Sequence, residues 1–123
     1  KAESSEEFFF TFLGALNVIC ELSRPTDLKL LSILCTMCEY NTGKVSLTPT
    51  KRTDICQKLG VSSQAVSNSI SRLKESKLLL GSRGDYEVNP QYFWKGTTNE
   101  RQKLLKNRSM DLMLKFSRDG VQG

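Results

Sequence analysis

Residues 62–75 read SSQAVSNSISRLKE. At roughly 100° per residue, Val66, Ile70 and Leu73 gather on one helical face, with Ala65 and Ser69 at its margin. The opposite face carries Gln64, Ser67, Asn68, Ser71 and Glu75, with Arg72 beside them. Serine is a middling helix former because its hydroxyl competes for backbone hydrogen bonds, so this density of serines asks for a reason. A merely solvated helix more often carries Glu–Lys pairs. A helix entering a major groove instead needs short side chains and uncharged donors and acceptors that match base edges. Gln64 and Asn68, one turn apart, each suit adenine bidentately. Ser67 and Ser71 suit base or phosphate, and Arg72 suits guanine or the backbone. The plainer alternative is an uncharged solvent face.

Neighbouring residues would supply affinity that is independent of base sequence. Thr48, Thr50, Lys51 and Arg52 open the preceding helix, where free backbone N–H groups attract phosphate. Ser63, Lys74 and Lys77 flank the polar face, and Arg83 sits at the tip of an expected hairpin, suited to phosphate or a minor groove. Each of these alone is as readily ordinary surface; together they lie on the elements a duplex would touch.

The elements that position these residues follow from caps and periodicity. FFFTF at residues 8–12 alternates as a short strand, and residues 14–21 suit a short helix. Pro25 breaks the chain, and Thr26 or Asp27 caps a helix with an apolar face of Leu28, Leu31, Leu34, Cys35 and Cys38. Asn41-Thr42-Gly43 ends it. Val45 and Leu47 alternate as a short strand. Thr48-Pro49 reads as N-cap followed by Pro at the first helical position, and Gly60 as a left-handed stop. Ser62 or Ser63 caps the serine-rich helix, which runs to about Lys77. LLLG and YEV bracket Ser82-Arg83-Gly84-Asp85 as a hairpin. Tyr92, Phe93 and Trp94 are read as pinning the chain to the core in preference to stacking on bases. A last helix is expected from about Asn99 to Phe116, with Leu105, Leu112, Met113 and Phe116 on one side, followed by a frayed tail. Two helices joined by a short Gly-containing turn and followed by a hairpin form a winged helix-turn-helix. The expected class is therefore mostly α with a small β-hairpin (α+β). An N-terminal extension (1–25), the winged helix-turn-helix (26–96) and a C-terminal helix with tail (97–123) make up the chain.

Charge and cysteine usage narrow the chemistry. The chain has 123 residues and a net charge of +5. Residues 1–43 are net −3 and residues 44–123 net +8, which favours an anionic partner such as nucleic acid. Cys35 and Cys38 form a CxxC inside an amphipathic helical run, with no second CxxC and no histidine to complete a zinc site. They read as buried thiols in a reducing cytoplasm, and no metal or cofactor is expected. The acidic, polar start does not resemble a secretory leader, the absence of an initiating Met suits a trimmed fragment, and no apolar run is long enough for a membrane span.

The segment TDICQKLGVSSQAVSNSISRLKESKLLLGSRGDYEVNPQYFWKG resembles plasmid replication proteins of the RepL type. The likeness is strongest in SQAVSNSISRL, GDYEVNP and YFWKG, and extends over roughly residues 8 to 100. Cys56 departs from the pattern, standing where such helices usually carry Ala. The resemblance implies an initiator that binds a plasmid origin as duplex DNA and recruits host replication machinery, without strand cleavage. A transcriptional regulator has the same physics and stays open. A winged-helix protein–protein module would favour an acidic or strongly apolar reading helix, which is not present. An enzyme is disfavoured by the lack of any histidine for acid–base chemistry and of a phosphate-cradling Gly-rich loop. Apolar flanking helices of this kind suit a homodimer on a two-fold DNA site.

Overall fold

A computed structural model describes residues 10–108 of the chain. The described residues form five helices and two small antiparallel sheets, an α+β arrangement. In order these are β1 (Phe10–Thr11), α1 (Leu13–Cys20), α2 (Pro25–Met37), β2 (Lys44–Ser46), α3 (Pro49–Leu59), α4 (Ser63–Glu75), β3 (Leu79–Ser82), β4 (Asp85–Val88) and β5 (Phe93–Trp94). A final helix, α5, covers residues 98–108. The rest of the expected C-terminal helix, with Leu112, Met113 and Phe116, lies outside the described residues.

The core is assembled from one face of each helix. Leu30, Leu31 and Leu34 of α2 meet Ile55 of α3 and Val66, Ile70 and Leu73 of α4, closed below by Leu78, Leu79 and Val88. The buried face of α2 is rotated by one position from the sequence expectation: Leu28 is exposed, while Leu30 and Asp27 are buried. A wheel drawn through apolar residues alone leaves out Asp27 and so turns the arc toward Leu28. Pro25 starts α2 instead of breaking before it, with Arg24 as an extended N-cap that makes no side-chain cap bond. The helix ends at Met37, earlier than the Asn41-Thr42-Gly43 turn suggested.

The hairpin β3–β4 is joined by β2 into a three-stranded sheet of order β2-β4-β3. Register pairs Val45 with Tyr86 and Leu79 with Val88. Its two-residue turn has positive φ at both Arg83 (55°) and Gly84 (86°), the type I′ geometry whose twist matches paired strands. The aromatic run is structural, as the sequence suggested. Phe93 and Trp94 are buried, and the Trp94 indole N–H donates to the Thr97 carbonyl at 2.8 Å. These two residues also form β5, which pairs with β1 through Phe10↔Trp94 and Thr11↔Phe93. Arg101 of α5 reinforces this ribbon by stacking on Phe12 at 3.8 Å and donating to the Pro90 carbonyl at 2.7 Å.

The CxxC is part of the packing. Cys38 is buried and its Sγ donates to the Cys35 carbonyl, while Cys35 is half-buried. Burial, reinforced by Cys38 and opposed by Lys95, pushes the Cys35 thiol up to about 12, so it stays protonated at neutral pH.

Candidate nucleic-acid interface

The serine-rich helix is α4, and its first turn is built by the residues before it. Thr48 caps α3, accepting from the Lys51 backbone N–H at 3.2 Å. Gly60 closes α3 with φ 68°, a conformation that costs a side-chain-bearing residue about 1–2 kcal/mol. Ser62 then caps α4, its Oγ accepting from the Ala65 N–H at 3.1 Å. Only Gly60, Val61 and Ser62 separate the two helices, so their relative placement is tightly set.

Arg52 crosses from α3 to α4. Its Nε donates to Ser63 Oγ at 3.2 Å, and its Nη2 donates to the Ser63 carbonyl at 3.2 Å and to Ser67 Oγ. All three acceptors are uncharged. Beside this clasp, Gln64 Nε2 donates to Asn68 Oδ1 at 3.1 Å. That bond leaves the Gln64 carbonyl as acceptor and the Asn68 amide as donor, one turn apart on an exposed face. Ser71 continues the same face and is exposed.

Arg72 does not belong to that face. Its Nε and Nη2 form a bidentate pair with the Asp27 carboxylate of α2 at 2.8 and 2.9 Å, and Nη2 also donates to Ser69 at 3.3 Å. Asp27 is 1% exposed. Burial alone would raise its pKa. The hydrogen bonds from Arg72 and Ser69, with the charges of Arg72 and Arg24, outweigh that and hold the carboxyl below its ordinary value. The same hydrogen bond raises the Arg72 pKa. Arg72, expected to reach guanine or the backbone, has its Nε and Nη2 engaged by the buried Asp27 carboxylate. Sequence reasoning missed Asp27, whose only signal was a carboxylate at a core position of an apolar helical arc.

The remaining expected residues are spread around α4. Thr50 and Lys51 are exposed on the first turn of α3, Lys74 is half-buried near the end of α4, and Arg83 is exposed at the hairpin tip. The structure thus brings Arg52, Ser63, Ser67, Gln64 and Asn68 into one continuous patch. It separates Arg72 from them and leaves Arg83 on a different element.

A family model described as Firmicute plasmid replication protein (RepL) matches residues 22–112. The chain belongs to the RepL family. The RepL match runs through α2, α3, α4, the hairpin and α5, and leaves β1 and α1 outside it. Family membership makes this a plasmid replication protein. Neither a curated protein nor a solved structure matches the chain. Among the described residues no helix is long and apolar enough to cross a membrane, and no cluster of three metal-ligating side chains occurs.

Proposed function

We propose that this RepL protein is a winged helix-turn-helix initiator that binds duplex DNA at a plasmid origin in a sequence-specific way. In this reading α3 and α4 are the helix-turn-helix and the β3–β4 hairpin is the wing, within residues 26–96. The observation that carries it is how Arg52 is held. Its guanidinium is oriented by Ser63 and Ser67, oxygens that fix it without neutralising it, beside the Gln64–Asn68 donor–acceptor pair. Gln64, Asn68 and Ser71 read base edges; Thr50, Lys51, Arg52, Lys74 and Arg83 engage phosphate. Ser63 and Ser67 serve by holding Arg52, and Thr48 by capping the helix that presents it. The protein acts in the cytoplasm as a homodimer and draws host replication machinery to the origin, without cutting a strand.

Arg83 supports the wing assignment. Type I′ turns favour Asn or Gly at their first central position, and an arginine held there at positive φ is strained. A residue kept at such a cost points to a role at the hairpin tip.

Selection of bound duplexes from a random pool, followed by footprinting on the cognate plasmid, tests the proposal. A palindromic site within a replication origin is the expected result; sites confined to promoters would establish a regulator instead. Asn68→Ala is expected to lower affinity for the selected site by about 1–3 kcal/mol and to relax one base pair. Equal losses on random DNA would remove Asn68 from the reading face. Supercoiled origin DNA should stay intact with magnesium present.

A further inference from the structure

Between α2 and α3 lies an open hollow of about 250 Å³. Its floor is apolar: Ile33 and Met37 from α2 and Ile55 from α3. Ile33 and Met37 are only half-buried, so the floor retains apolar surface in contact with water. The α2 wall contributes no charged group. The α3 rim carries Lys51, Asp54 and Lys58. Lys51 and Lys58 are seven residues apart, so their backbone positions stand roughly 10 Å apart along one helical edge, with Asp54 between them. Among the described residues neither has a carboxylate within ion-pair distance.

We infer that this hollow is a docking groove for an acidic amphipathic helix of a partner protein. The volume suits one large apolar side chain, such as Leu or Phe, seated on Ile33, Met37 and Ile55. Methionine adapts readily to a variable guest at such a surface. A helix laid along α3 places residues seven apart at the same spacing as Lys51 and Lys58, so two carboxylates at that interval meet both ammonium groups. Among the described residues, the helices of a second copy do not provide them. Among the described residues α1 has no carboxylate, and α2, α3, α4 and α5 have one each: Asp27, Asp54, Glu75 and Glu100. A phosphate strand would engage Lys51, as in the proposed duplex complex, but would leave the apolar floor uncovered, so duplex and helix compete for Lys51 while Lys58 belongs to the groove alone.

The inference does not rest on duplex recognition, and its test contains no DNA. The probe is a synthetic alanine-based helix of about four turns, bearing one Phe between two glutamates placed seven residues apart; a control carries lysines in their place. Titration into isotope-labelled protein, followed by amide chemical shifts and by anisotropy of a labelled probe, gives the readout. The acidic peptide is expected to shift the Ile33, Met37 and Ile55 amides, and the lysine control to leave them in place. Lys58→Glu, at an exposed position away from the core, should weaken the acidic peptide about tenfold or more while the amide spectrum stays folded. Absence of binding overturns the inference. So does binding that maps to α4, or that is insensitive to Lys58→Glu, because either result marks nonspecific attraction to a basic protein.

Discussion

Two arginines flank the serine-rich helix and have opposite electrostatic fates. Arg72, on the inner side of α4, shares a buried carboxylate and anchors the helix to α2. Arg52, reaching in from α3 on the outer side, is held by two hydroxyls and a carbonyl. Both are pinned in position, but of the two only Arg72 is paired with a carboxylate among the described residues. Choosing serine oxygens over carboxylates as acceptors is how a protein fixes a cation and still offers it to an anion. This accounts for much of the serine content of α4. Ser62 caps, Ser63 and Ser67 hold Arg52, Ser69 supports Arg72, and Ser76 closes the end by donating to the Leu73 carbonyl at 3.0 Å.

The largest effect should come from removing the carboxylate. Asp27→Ala leaves Arg72 without its partner. With the Arg72 side chain 31% exposed, the cost is expected to be about 2 kcal/mol, below that of a fully buried pair. A shift of the urea midpoint measures it. The pH dependence has a definite sign. The folded Asp27 pKa lies below its unfolded value of 3.8, so its contribution is complete well above that value and is lost as pH falls from about 4 toward the folded pKa. Asp27→Asn should flatten stability over that acidic window, and an unchanged acid profile would contradict the pairing.

The next effect distinguishes the two arginines directly. Arg52→Ala should weaken binding to every duplex and lower the slope of log affinity against log salt by about one unit. Arg72→Ala should leave that slope nearly unchanged, since its charge is already matched by Asp27. Equal slopes for the two variants would erase the distinction.

The smallest effect concerns an arginine with a strained backbone. Arg83→Asn suits the type I′ turn better and should raise stability by a few tenths of a kcal/mol, up to about 1. The same change should reduce duplex affinity without altering base preference. A variant that gains stability and binds as tightly as before would show Arg83 to be ordinary surface.

Local chemistry was the legible part of the sequence. Thr48-Pro49, Gly60 and Ser62 each satisfy or stop a helix end through neighbours in the chain, and the structure has all of them in those roles. The hairpin around Arg83-Gly84 was legible for the same reason. What stayed hidden depends on partners far away in sequence. Asp27 looked like a cap because nothing near it reveals Arg72, which is 45 residues distant. β1 falls within the FFFTF stretch read as a strand, but the two-residue β5 carries no periodicity to detect, and nothing near either strand reveals the other. For the candidate site, the polar face of α4 could be drawn from spacing, but not which of its members are already occupied by one another.

The β1–β5 ribbon has a consequence for the order in which the molecule forms. Residue 10 cannot find its partner until residue 94 exists, whereas α3, α4 and the hairpin close over short loops. Closing the long loop costs more chain entropy than any local turn. During synthesis, the N-terminal strand therefore waits through the making of nearly the whole domain. The ribbon is a late fastening, closed only after the elements between its two strands have been made.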